Sequence, residues 1–262
     1  WLSENGVTEE GEAVVYKYQA SDDLLREVMS WYRPQEIPVL MTAAGRRSRI
    51  TGVYSPIGRC GKTSFALTLG QILAKKRACL YLNLEAYSGF EYLMERKFEQ
   101  TLGDLLYYLR LGSDQLVTKM GSMVQSINNL DYLPPVLSME DIQSTTAEEW
   151  IRLLQQIIDY SNYDVIILDL GDSVSQLYQL LEQCTRIYMP IRADPVSQAK
   201  IQQFEHTLQV WEKQAVLDRI RKIKPPYHRS TRSGTGYMDD LVWSELGDYV
   251  RELLGKGLSY EQ

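Results

Sequence analysis

Histidine and cysteine are scarce in this chain: two and three in 262 residues. Cys60, Cys79 and Cys184 are an odd number with no metal-ligand spacing. That excludes a zinc ribbon or a disulfide framework and fits a reducing cytoplasm. His206 and His228 have no partner at ligand spacing, and His206, on a predicted helix, reads as a surface or core residue. No run of about 18 apolar residues occurs, so no transmembrane helix is expected, and the start of the chain has no signal-peptide pattern. Basic excess is missing too: 28 Lys and Arg face 34 Asp and Glu, a net charge of −6. That argues against a general nucleic-acid coat while leaving room for a local basic patch. Internal repeats are absent. What remains is a chain with 44% hydrophobic residues, long enough for one large α/β domain or one domain plus a fragment.

The most informative stretch is Ser55-Pro56-Ile57-Gly58-Arg59-Cys60-Gly61-Lys62-Thr63-Ser64. It follows a strand-like apolar run, 50–54, and precedes 65–76, whose apolar residues recur at helical spacing. Strand, glycine-containing loop and helix is the context of a phosphate-binding loop. Amides at a helix start lack partners within the helix, and the dipole there favours an anion. Lys62 would meet the β- and γ-phosphates, Thr63 would take a place on Mg²⁺, and Ser64 would face the α-phosphate. The usual pattern has Gly where Pro56 stands; Gly58 is three residues before Gly61. Cys60 lies in the loop, where a helix N-terminus lowers a thiol pKa; Cys79 and Cys184 read as small core residues.

Residues 78–85 read as a second buried strand ending in Asn83 and Glu85, and 163–172 as a central strand ending in Asp169. Strands separated by helices predict a mostly parallel α/β sheet with helices on both faces. Ligands then lie at the carboxyl ends of the strands. Asp169 could hold a water on Mg²⁺ there, and Gly171 could offer an amide to a γ-phosphate. Thr146 to Glu149 is a capping box, opening a helix with Trp150, Ile151, Leu154, Ile157 and Ile158 on one stripe. Residues 86–126 read as irregular helix and 130–135 as a short strand. A strand is expected over 186–190. Asp194-Pro195 opens a long helix, and a final helix is expected over 238–254. Residues 219–232 hold six basic side chains and no acid; a solvated face is the simpler reading, DNA phosphates the alternative. Residues 13–18 read as a strand and 21–32 as a helix. They look like the tail of an upstream α/β domain or an addition to the edge of the main one, and Trp1 at the start fits a trimmed chain.

With these elements in this order, the chain resembles the MinD/ParA-type P-loop ATPases over residues 48–254. Within them it is most similar to the TadZ/CpaE-like branch, associated with pilus assembly and polar localisation. The resemblance implies a P-loop NTPase domain over 38–262, preceded in 1–37 by the remnant of a receiver-like domain plus a linker. It implies that Gly58, Arg59, Cys60, Gly61, Lys62, Thr63, Ser64 and Gly171 bind nucleotide, with Pro225 and Pro226 in a loop over the base. Thr63 and Asp169 would serve Mg²⁺, and Lys62, Glu85 and Asp169 catalysis. Glu85 falls on the acid that orients the attacking water, and Asn83 on another frequent Asp. ATP, or ADP after hydrolysis, is the implied nucleotide, since the Asn-Lys-x-Asp run of guanine sites is missing. The family run Lys-Gly-Gly-x-Gly-Lys-Thr reads 57–63 here: its signature lysine falls on Ile57 and its second glycine on Arg59. Arg59 either replaces that lysine across a dimer or packs outward against a carboxylate. The implied protein is cytoplasmic, with recruitment to the inner membrane face or a cell pole. It is an ATP-dependent homodimer with slow hydrolysis, partnering pilus or secretion-system proteins. A scaffold without hydrolysis and a DNA-partitioning ATPase stand as alternatives. A peripheral membrane contact through the last helix is opposed by Glu245, Asp248 and Glu252.

Overall fold

A computed structural model describes residues 2–3, 15–16, 48–112 and 116–255. Two short strands, β1 (Leu2–Ser3) and β2 (Val15–Tyr16), pair in parallel. The helix expected over 21–32 and the linker after it lie outside the described residues.

The main sheet has seven strands, β3 (Arg49–Val53), β4 (Cys79–Leu84), β5 (Gln125–Ile127), β6 (Leu130–Tyr132), β7 (Val165–Leu170), β8 (Arg186–Pro190) and β9 (Ile220–Ile223), in the order β5-β6-β4-β7-β3-β8-β9. Every pairing is parallel except β5 with β6. All six residues of β4 and of β7 are buried, as expected of parallel strands covered on both faces. The chain runs outward from β3 to β4 and β6, then returns through β7 to β8 and β9. Its direction reverses beside β3, and that is where a crevice opens at the strand ends.

Alternation along each strand divides the core. Ile166, Leu168 and Leu170 join one apolar cluster; Val165 and Ile167 join the other. The second cluster forms under α1 (Lys62–Ala74), whose Phe65, Ala66, Leu67, Leu69 and Ala74 are all buried. A helix apolar nearly all round must be covered on both sides. The sheet covers one side of α1; α10 (Gly234–Trp243) and α11 (Glu245–Gly255) cover the other. The opposite sheet face carries α3 (Leu102–Arg110), α4 (Leu116–Met123), α5 (Met139–Ser144), α6 (Ala147–Tyr160), α7 (Leu177–Gln183), α8 (Pro195–Val210) and α9 (Gln214–Arg219), while the short α2 (Phe90–Met94) puts Phe90 into the cluster under α1.

The expected caps form. Thr146 and Glu149 make a reciprocal capping box on α6, and Asp194 accepts from the Ser197 amide at the start of α8 with proline next in the chain. The stripe on α6 buries Trp150, Leu154 and Ile157 but also Leu153, while Ile151 and Ile158 are only half-buried.

Three expectations change. Residues 125–132 form a hairpin, not irregular helix followed by a lone strand. Asn128 and Asn129, at φ 49° and 66°, make the turn, and two consecutive left-handed residues favour a tight hairpin. The last helix is two, broken at Ser244. Residues 220–223, inside the basic run, form the edge strand β9, because alternation there places buried Ile223 inward. Among the described residues no helix is long and apolar enough to cross a membrane. The apolar face of α11 is spent on the core: Leu246, Val250 and Leu253 are buried.

Candidate functional site

The loop leaves β3 and enters α1 at the carboxyl end of the sheet. Gly61 is the residue before α1 and sits at φ 81°. That left-handed conformation carries no penalty only for glycine. It turns the chain so that Lys62, Thr63 and Ser64 open the helix, with amides that have no partner within it. Ser55 anchors the loop from behind, its hydroxyl donating to the Pro190 carbonyl at 2.7 Å. Ile57, where the resemblance places a signature lysine, is 3% exposed and part of the apolar core. Arg59 is exposed at φ 55°.

Lys62 reaches across to the strand ends. Its ammonium donates to the Leu170 carbonyl at 2.9 Å and pairs with Glu85 Oε1 at 3.3 Å. The Thr63 hydroxyl donates to Glu85 Oε2 at 3.0 Å. Glu85 therefore bridges the two loop side chains expected to serve phosphate and metal.

Asp169 lies beneath them, fully buried. Its place follows from two facts of the sheet: a period of two faces it toward α1, and the register sets Asn83 directly opposite. The same period brings Tyr81 to that face. Asp169 Oδ2 accepts from the Tyr81 hydroxyl at 2.9 Å and from the Asn83 amide at 3.3 Å. Burial, and after it the negative charge of Glu85, push the Asp169 carboxyl up to about 7; nearby Lys62 opposes them. Its Oδ1 is buried and has no hydrogen-bond partner among the described residues. An orphaned carboxylate oxygen beside a threonine hydroxyl offers the oxygen donors that a hydrated Mg²⁺ takes, so these residues fit that ion.

A cavity of about 340 Å³ continues from the loop, lined by Arg59, Gly61, Ser64, Arg192, Pro225, Pro226, Tyr227 and His228 among others. The structure thus places the two prolines beside the loop. Cys60 lines the cavity as well, but burial pushes its thiol up. Removal from water outweighs the Ser55 hydrogen bond and the Lys62 charge, so the lowering that a helix N-terminus favours does not prevail. Gly171 also differs from expectation. Its amide is directed at the Leu84 carbonyl at 3.3 Å, closing the ends of β4 and β7.

Much of the basic run is internally paired. Arg219 donates to the Glu182 and Cys184 carbonyls, Lys222 pairs with Glu205, and Arg232 pairs with Asp240. Those pairs favour the solvated-face reading.

Tyr81 and Tyr237 were missed in the sequence. Tyr81 had a readable signal: with Asn83 and Asp169 it is a polar-tipped residue at the inward phase of an otherwise apolar strand. Tyr237 had none. Its hydroxyl lies 3.0 Å from that of Ser64, a contact spanning 173 residues.

The strand order, the loop after β3 and the Asp169 strand beside it decide the comparison with known folds. The fold is that of the ParA-type P-loop ATPases. A ParA family ATPase from Chlorobium tepidum superposes with a TM-score of 0.60 at 20% identity, over 79% of this chain and 98% of that one. Cobyrinic acid a,c-diamide synthase from Mycobacterium smegmatis, holding ADP and magnesium, gives 0.56 at 15% identity over 78% and 92%. Cyanothece McdA in complex with ATP gives 0.54 at 16% identity over 76% and 79%. No protein-family model matches the sequence, and no curated protein matches it significantly. A ParA-type fold on its own does not select a chemistry; an amide synthase shares it.

Proposed function

We propose that this chain binds ATP with Mg²⁺ on residues 58–64 and hydrolyses it slowly, as a dimeric switch that positions a pilus or secretion apparatus. The observation that carries the nucleotide reading is the convergence of Lys62 and Thr63 with the buried Asp169 at one end of the sheet. Solved proteins of the same fold hold ATP, or ADP with magnesium, which supports the choice of ligand. In this reading the loop amides and Lys62 neutralise the phosphates. Thr63 and Asp169 hold Mg²⁺, which would offset the charge developing on the leaving phosphate. Glu85 orients the attacking water, and Gly171, Pro225 and Pro226 border the nucleotide. In this reading residues 1–37 are the remnant of a receiver-like domain plus a linker.

Slow turnover follows from Ile57. Phosphoryl transfer depends on cations at the transition state, and loss of a trans-acting one costs about 10³ or more in rate. Ile57 is in the core, so the loop offers Arg59 as the exposed cation for a partner's phosphates. The rival reading, a scaffold that holds nucleotide without hydrolysing it, rests on the same residue.

Calorimetry with ATP and Mg²⁺ tests the proposal. Wild type should take up nucleotide and Lys62→Ala should lose at least about tenfold in affinity. Phosphate release above the Lys62→Ala background selects the switch; its absence selects the scaffold. No uptake by folded wild type removes both.

A further inference from the structure

The phosphate loop leaves one polar atom of its neighbouring cavity unexplained. His228 lines that cavity together with Pro225, Pro226, Tyr227, Gly61 and Ser64. Its Nε2 is buried and has no hydrogen-bond partner among the described residues. Buried polar atoms are nearly always paired, and one left single calls for a ligand or water. Burial also holds the imidazole below its usual pKa, with Asp240 opposing, so the ring is neutral near pH 7. A neutral imidazole nitrogen either donates or accepts, according to tautomer.

The ring is held in place rather than free. It packs edge-on against Tyr237, centroids 5.6 Å apart, and the Tyr237 hydroxyl meets Ser64 in the first turn of α1. The chain that follows it is pinned as well: Ser230 and Arg232 both bond Asp240. His228 is thus tied through one tyrosine to the end of the loop where an α-phosphate would lie. The cavity volume is at the low end of small-molecule clefts, about 300 to 1,000 Å³, and its walls set Pro225, Pro226 and the Tyr227 ring beside Arg59, Arg192 and His228. The prolines and the tyrosine offer faces on which a base can lie, and His228 a neutral polar atom for its edge.

We propose that His228 is a specificity-determining residue that hydrogen-bonds the nucleoside of a bound nucleoside triphosphate. This rests on the nucleotide reading above. It assigns His228 no part in the transfer of phosphate. The polyphosphate tail is left to residues 58–64, so the two ends of the ligand are separable.

The test compares ATP with inorganic tripolyphosphate, each with Mg²⁺, on wild type and His228→Phe. Phenylalanine keeps a ring against Tyr237 and removes the nitrogen. The expected result is an affinity for ATP about tenfold weaker, with tripolyphosphate unchanged, and partial recovery of ATP binding in His228→Gln. His228→Gln also serves if the Phe variant fails to fold: it should bind ATP less tightly than wild type and tripolyphosphate equally. Equal ATP affinity in wild type and variants overturns the inference, as does equal weakening of both ligands, which would mark loss of loop structure. Wild type that binds tripolyphosphate but not ATP also overturns it, leaving the phosphate loop intact. Wild type that binds neither removes the nucleotide reading and this inference together.

Discussion

Glu85 holds Lys62 and Thr63 at 3.3 and 3.0 Å, so the loop has its cation and its hydroxyl engaged by an internal carboxylate. A triphosphate must displace that carboxylate before Lys62 can meet it. Two opposite effects of one substitution follow. Glu85→Gln removes the competing charge, and a partly exposed ion pair is worth up to about 1 kcal/mol, so ATP should bind up to about fivefold more tightly. The same change removes the group proposed to orient water, so phosphate release should fall by about 10² or more. Titration calorimetry and a phosphate assay on one preparation check both. Unchanged affinity would mean that Glu85 does not compete with the ligand. The neighbouring network explains why Asp169 remains in place beneath them. Tyr81 and Asn83 satisfy one of its oxygens, and the other has no hydrogen-bond partner among the described residues.

Among the elements, α1 depends on the two helices that roof it. The corner between α10 and α11 is sharp enough that a Cβ on Gly247 would lie 2.0 Å from the Val242 carbonyl oxygen. No rotamer can relieve a backbone clash of that depth, so Gly247→Ala must shift one helix relative to the other. The expected loss is about 3 kcal/mol in urea unfolding. A Cβ on Gly255, at the end of the same helix, would meet nothing within 4 Å, so Gly255→Ala should stay within about 0.5 kcal/mol of wild type. If both behave alike, the corner does not set the roof. Because Tyr237 and His228 belong to that roof and its approach, Gly247→Ala should also disturb the cavity.

At the scale of the whole molecule, ligand and fold are linked. The site joins β3, β4, β7 and α1, so anything bound there ties the centre of the sheet together. ATP with Mg²⁺ at a hundred times its Kd should add about 2.7 kcal/mol to stability. For a domain of this size that is about 5 to 10 °C in Tm. A thermal scan of wild type should show the rise, and Lys62→Ala at the same ATP concentration no more than about half of it; an equal rise in both would place the binding elsewhere.

The strand-loop-helix unit and Asp169 were legible in the chain because they are local. An apolar run of strand length, a Gly-Lys-Thr turn and a helical period each act over a few neighbours. So were the caps at Thr146 and Asp194, which operate within one turn of helix. Glu85 was legible as a polar strand end, but its grip on Lys62 and Thr63 was not, because that requires β4 and β3 to lie on either side of β7. The hairpin at Asn128, the β9 pairing, the Tyr237 contact with Ser64 and the enclosure of His228 were beyond reach for the same reason. Each joins residues whose closeness is set by how layers pack, and a buried atom without a partner exists only once those layers have closed around it.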